Sequence, residues 1–85
     1  MKAHEFDRVI RKFGMKTRQG RDLLAWFEHG GLVITRTRRS KGTGDLPTRL
    51  IQKQLALDEN QLRGAIRCTI ELDDYISILR EKGLI

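Results

Sequence analysis

Four cations fall within six residues at Arg36, Arg38, Arg39 and Lys41, and the carboxylates nearest to them along the chain are Glu28 and Asp45. Positive charge this dense, with no acid beside it in sequence, is suited to holding a polyanion. Three of the four are arginines, whose planar guanidinium matches phosphate in two parallel hydrogen bonds where an ammonium offers a point charge. Arg18 and Arg21, on either side of Gly20, add two more cations. The chemistry these six residues support is phosphate recognition. The plainer role for such a run is to keep the edge strand of a sheet soluble.

Residues 1–41 carry eleven Lys/Arg against four Asp/Glu, a net +7, whereas residues 42–85 carry six against seven, a net −1. The front half therefore faces the polyanion. Other chemistries are poorly provided for. One cysteine, Cys68, excludes an internal disulfide, and with only His4 and His29 beside it in the inventory no zinc site can be assembled. A lone cysteine is more often a small buried apolar residue than a nucleophile. No metal and no cofactor is expected. There is neither a run of eighteen apolar residues nor a hydrophobic leader core, so no membrane span is expected and a cytoplasmic location follows by default.

The elements that must position the cations can be read from periodicity. Eighty-five residues, 39% of them hydrophobic, make one domain with a single core. Phe6, Val9, Ile10 and Phe13 lie at i, i+3, i+4 and i+7, one stripe of an amphipathic helix that Gly14 ends. A short edge strand over Met15–Gln19 and a turn at Gly20-Arg21-Asp22 lead to a strand over Leu23–Glu28, whose imperfect alternation suits a central position. His29-Gly30-Gly31 reads as a hairpin turn into Leu32–Thr37, an unbroken row of β-formers apart from Arg36. Strand alternation puts Ile34, Arg36 and Arg38 on one face and Val33, Thr35, Thr37 and Arg39 on the other.

Ser40–Gly44 reads as a Gly-rich exit loop whose backbone amides can approach a phosphate. Asp45 is placed to cap the next helix, with Pro47 in its first turn and Leu46, Leu50, Ile51 and Leu55 inward. Asp58 and Gln61 have capping-box spacing and open a third helix on Leu62, Ala65 and Ile66. A fourth helix, Leu72–Lys82, repeats the stripe with Leu72, Tyr75, Ile76 and Leu79 and stops at Gly83, after which Leu84 and Ile85 can fold back. The expected architecture is α+β: one helix, a three-stranded antiparallel sheet and a second helix over residues 1–57, then two helices over 58–85.

That frame, with Gly20 opening the turn before the second strand and a Gly-rich loop before the helix of Leu46-Pro47 and Leu50-Ile51, resembles the HicA-type toxins of toxin-antitoxin pairs. The stretch from Arg36 to Gly83, with Cys68, Tyr75-Ile76 and Ile78-Leu79-Arg80-Glu81-Lys82-Gly83, is similar to small HicA-like proteins with added C-terminal helices. The resemblance implies a double-stranded-RNA-binding-domain-like (dsRBD-like) fold, endoribonuclease action on messenger RNA, and a HicB-like antitoxin as partner. It also implies a histidine shortly after Gly20, as general acid or base. Here that place is held by Asp22 or Leu23, and neither replaces an imidazole at pH 7. The expectation is an RNA-binding protein with weak or no cleavage, its phosphates held by Arg18, Arg21, Arg36, Arg38, Arg39 and Lys41. Trp26 or Phe27 can stack on a base, although core packing is the commoner role. Two other classes stay open. One is DNA binding through helix-turn-helix spacing over Leu55–Ile66, and the other is a protein-interaction module docking through the acidic C-terminal helices.

Overall fold

Helix α1, Ala3–Lys12, buries Phe6, Val9 and Ile10 on one stripe, and its first turn is closed by Glu5, whose carboxylate accepts the Lys2 N–H at 2.7 Å. The chain then forms an antiparallel meander of β1 (Lys16–Gln19), β2 (Asp22–His29) and β3 (Leu32–Ser40), with β2 in the middle. Three helices follow: α2 (Thr48–Gln54), α3 (Glu59–Ile66) and α4 (Leu72–Glu81). The computed structural model describes residues 1–40, 44–67 and 69–85. It is an α+β fold in the expected order, α-β-β-β-α with two further helices, the order of a dsRBD-like frame. Among the described residues no helix is long and apolar enough to cross a membrane.

Among the described residues one hydrophobic cluster draws on α1, β2, α2, α3 and α4, with Ile34 of β3 packed half-buried against it. Its centre is Tyr75 of α4, fully buried. The Tyr75 ring stacks on Phe13 with centroids 4.1 Å apart and meets Phe27 edge-on at 5.0 Å. Its hydroxyl donates to the Leu55 carbonyl at 2.9 Å and accepts from Thr35 Oγ1 at 2.8 Å. A buried phenol must have its polar end satisfied, and here that end ties α4 to the end of α2 and to β3. The helices 58–85 thus share the core of the frame, with Leu62, Ala65 and Leu79 also buried.

The β2–β3 turn is the expected hairpin, with φ of 61° at Gly30 and 82° at Gly31, values a two-residue hairpin turn requires and glycine adopts freely. Past that turn the register slips by one. Glu28 pairs with Val33 but Phe27 pairs with Thr35, leaving Ile34 as the extra residue of a β-bulge. The bulge changes the faces expected from simple alternation. Val33 is exposed beside Glu28, Ile34 is half-buried against the core, and Thr35 and Thr37 point inward.

Three further local expectations are corrected. Asp45 does not cap α2, whose N-cap is Pro47; its carboxylate instead meets Lys2 Nζ at 2.8 Å, and this contact holds the Asp45 pKa below and the Lys2 pKa above their ordinary values. Leu50 faces solvent at 51% exposure while Ile51 and Leu55 are buried, because a helix of seven residues presents only one narrow stripe to β3 and α3. At the C-terminus Gly83 has φ 75° and the Leu84 N–H reaches the Leu79 carbonyl at 3.0 Å, but only Ile85 packs on the core, with Leu84 exposed.

Candidate nucleic-acid interface

The helices cover one face of the sheet and leave the other open, and the strand register determines what the open face carries. Lys16 pairs with Trp26, and Trp26 pairs with Arg36; one step along, Arg18 pairs with Leu24, and Leu24 with Arg38. Paired residues share a face. The central strand therefore contributes an apolar strip, Trp26 and Leu24, continued by Val33, and each neighbouring strand lines it with two cations. Neighbouring strands lie about 4.8 Å apart and same-face residues about 6.7 Å apart, so the four cations mark a rectangle of about 10 by 7 Å around the strip. A shallow cleft of about 280 Å³ opens there, lined by Leu24, Ala25, Trp26, Val33, Arg36 and Thr37.

Two carboxylates sit at the ends of this face. Glu28 accepts from Trp26 Nε1 at 2.8 Å and holds Lys16 Nζ at 3.0 Å. The hydrogen bond from Lys16, followed by that from Trp26, keeps the Glu28 carboxyl below its ordinary pKa. Asp22 lies 3.9 Å from Arg38, too far for a direct hydrogen bond. Among the described residues neither Arg18 nor Arg36 has a carboxylate within 4 Å.

The structure divides the six arginines and lysines singled out from sequence. Arg18, Arg36 and Arg38 share the open face, and Arg21 is exposed in the turn beside it. Arg39 lies on the opposite face, where its guanidinium is bound by both oxygens of Asp7 at 2.8 and 3.0 Å and stands 6.0 Å from the Phe6 ring. With its side chain only 18% exposed, Arg39 fastens α1 to β3. Lys41 and most of the Gly-rich loop lie outside the described residues, as does Cys68. The acids absent from the neighbourhood in sequence are thus supplied by the fold, from α1 and from β2. Of the two aromatics, Phe27 is buried as expected of a core residue, but Trp26 is half-buried on the open face.

Lys16, Leu24 and Val33 join the face although sequence reading did not select them. Lys16 and Arg18 alternate on one short strand, which signals that they share a side, but which side depends on the register with β2.

The two positions at which the resemblance places a histidine fall on opposite faces. Asp22 shares the open face with Arg38, whereas Leu23 lines a cleft under the sheet with Asp7, Ile10, Arg11, Met15 and Thr17. His29 ends the same strand, about 23 Å from Asp22 at 3.3 Å per residue. His4 is exposed in the first turn of α1. Among the described residues no group of three or more His, Cys, Asp or Glu could hold a metal ion.

The stretch Leu55–Ile66, read for helix-turn-helix spacing, holds the turn from α2 and the whole of α3. Between α2 and α3 the turn passes through Ala56 at φ 61° and buried Leu57 to Asp58, which caps α3 in a reciprocal pair with Gln61 at 2.7 and 3.0 Å. The exposed side of α3 presents Glu59, Asn60 and Arg63, with Glu59 and Arg63 paired at 3.1 Å. Its C-terminal carbonyls accept from Lys12 and Arg8 of α1, so these two cations of the basic half are engaged internally. Comparison of the chain with protein-family models, with curated proteins and with solved structures found no match.

Proposed function

We propose that this chain is a HicA-like RNA-binding protein, with RNA and a HicB-like antitoxin as its partners and with weak or absent endoribonuclease activity. The observation that carries the reading is the gathering of Lys16, Arg18, Arg36 and Arg38 around Trp26 on the sheet face that, among the described residues, no helix covers. Phosphates take the guanidinium and ammonium groups, and a ring at the centre takes a base. Arg21, exposed in the turn past Asp22, lies outside this group of four and is reached only by a strand that runs beyond the face.

The α-β-β-β-α order agrees with the resemblance, and so does the Gly20 turn. The absent imidazole argues against efficient cleavage, because proton transfer to and from the ribose 2′-hydroxyl and the leaving oxygen is worth about 10² to 10⁴ in rate. A HicB-like antitoxin that covered the basic face would compete with RNA for the same cations.

Helix-turn-helix DNA binding has one observation in its favour, the turn at Ala56, but the helix it would present begins with Glu59 and pairs its central Arg63 internally. Amide chemical-shift mapping with a short messenger-like RNA separates the readings. The expected shifts fall on Lys16, Arg18, Leu24, Trp26, Arg36 and Arg38; shifts confined to α3, or to the acidic helix α4, would replace this reading with DNA binding or protein docking.

A further inference from the structure

Building on the RNA-binding reading, we infer that the open sheet face is selective for single-stranded RNA and seats an unpaired base on Trp26. The ring is held ready for this. Its Nε1–H is already committed to Glu28, Glu28 is fixed by Lys16, and the cleft beside the indole is lined by the apolar atoms of Leu24 and Val33, 41% and 43% exposed. An indole whose one polar atom is satisfied offers an incoming ligand a flat apolar face and little hydrogen-bonding selectivity. That suits any nucleobase and does not suit a peptide side chain that needs a polar partner.

The charges around it set the length and the kind of strand. Asp22 and Glu28, at opposite ends of the β2 open face, repel phosphate, so the backbone is confined to the rectangle of Lys16, Arg18, Arg36 and Arg38. That rectangle, about 10 by 7 Å at the backbone and wider at the tips of its four long side chains, offers one cation to each of about four phosphates. A duplex cannot use this arrangement, because its bases are paired and stacked on each other and only its phosphates can reach the sheet. It would gain the cations and leave the indole and the strip of Leu24 and Val33 against water. A second copy of this chain is disfavoured as an occupant, since two such faces would set eight cations against each other.

Trp26 is the only tryptophan in the chain, so its emission reports on this position alone. The test titrates the full chain with a twelve-nucleotide oligo-A or oligo-U and with a blunt RNA duplex of the same length, reading tryptophan quenching and, separately, anisotropy of an end-labelled RNA. The expected result is saturable quenching by the single strands, at the midpoint given by anisotropy, with the duplex about tenfold or more weaker and little quenched. Trp26→Ala should lose about 5- to 150-fold in single-strand affinity, the range for one stacked base, and Trp26→Phe should recover most of it. Val33→Glu, at an exposed position of the strip, should weaken the single strand as well.

Salt-sensitive RNA binding without quenching, with the duplex bound as tightly, would overturn this inference and leave the RNA-binding reading standing. No binding of either RNA would overturn both. Polyglutamate competing as well as RNA does, again without quenching, would assign the face to an acidic protein.

Discussion

Asp7 and Arg39, thirty-two residues apart, meet through two hydrogen bonds of 2.8 and 3.0 Å on the helix-covered side of the sheet. Arg36 and Arg38, three residues and one residue before Arg39 in the same basic run, lie on the other side. A single strand therefore divides its cations between two tasks. Arg39 orients α1 over the sheet, and its neighbours remain available to a ligand.

This division predicts opposite phenotypes. Asp7→Ala or Arg39→Ala should each destabilise the fold by about 1–2 kcal/mol, as expected for a largely covered bidentate pair, and a double-mutant cycle should show the two changes to be coupled. RNA affinity of Arg39→Ala should stay within about threefold of the parent where that of Arg36→Ala does not. Urea unfolding and a binding isotherm on each variant are sufficient checks.

Tyr75 gives a pH signature. Burial, only partly offset by the bond to Thr35, pushes its phenol from 10.0 up to about 12. A raised native pKa means the stabilisation is complete below the unfolded value near 10 and is lost as pH rises from there through about 12, amounting to about 2–3 kcal/mol. Tyr75 is the only tyrosine, so phenolate absorbance on alkaline titration should show a native midpoint near 12, against about 10 in denaturant. Tyr75→Phe, leaving the Leu55 carbonyl and the Thr35 hydroxyl without their partner, should cost about 1–3 kcal/mol at neutral pH and remove this part of the alkaline loss.

Truncation after Leu57 removes Leu62, Ala65, Tyr75 and Leu79 from the core and uncovers Phe13 and Phe27. Each large apolar side chain returned to water costs about 1.5–3 kcal/mol, so the shortened chain should lose its cooperative thermal transition and aggregate. A soluble fragment with a sharp melt would show that the C-terminal helices are dispensable to the frame.

The two possible positions for the absent histidine are now distinguishable. Sequence alone favours position 23, because it follows Gly20-Arg21-Asp22. With RNA on the open face, as proposed, the order is the reverse, since position 22 shares that face with Arg38 and position 23 lies under α1. Asp22→His should raise cleavage of a generic messenger RNA above that of the parent chain, with a pH dependence near 6.5, and Leu23→His should not. Cleavage appearing only with Leu23→His would place the reacting phosphate on the helix side of the sheet.

The element order, the Gly30-Gly31 turn and the Asp58–Gln61 cap were legible because each rests on local chemistry: apolar periodicity, a φ that glycine tolerates, a side chain three residues from a free amide. The face of Arg36 and Arg38 was not. Counting back from the Gly30-Gly31 turn with no bulge pairs Arg36 with Ala25 and points both arginines into the core; the extra residue Ile34 shifts the register by one and turns them outward. Nothing in the composition of Leu32–Ser40 announces that bulge, which turns Thr35 toward buried Tyr75 and Thr37 toward half-buried Gln54. Trp26, for which core packing is the commoner role, is half-buried on the open face for the same reason, since an aromatic in a central strand packs inward unless the register leaves its side of the sheet uncovered.

The most direct measurement of the central claim is RNA affinity against salt for the parent chain and for Arg36→Ala/Arg38→Ala. Four phosphate contacts on a single strand at about 0.7 each give a slope of log affinity against log salt of about −3, and removing two should bring it to about −1.5. Both arginines end in solvent, so the thermal transition should be unchanged. An unaltered slope and affinity in the folded double variant would contradict the assignment of the open face as the RNA-binding surface.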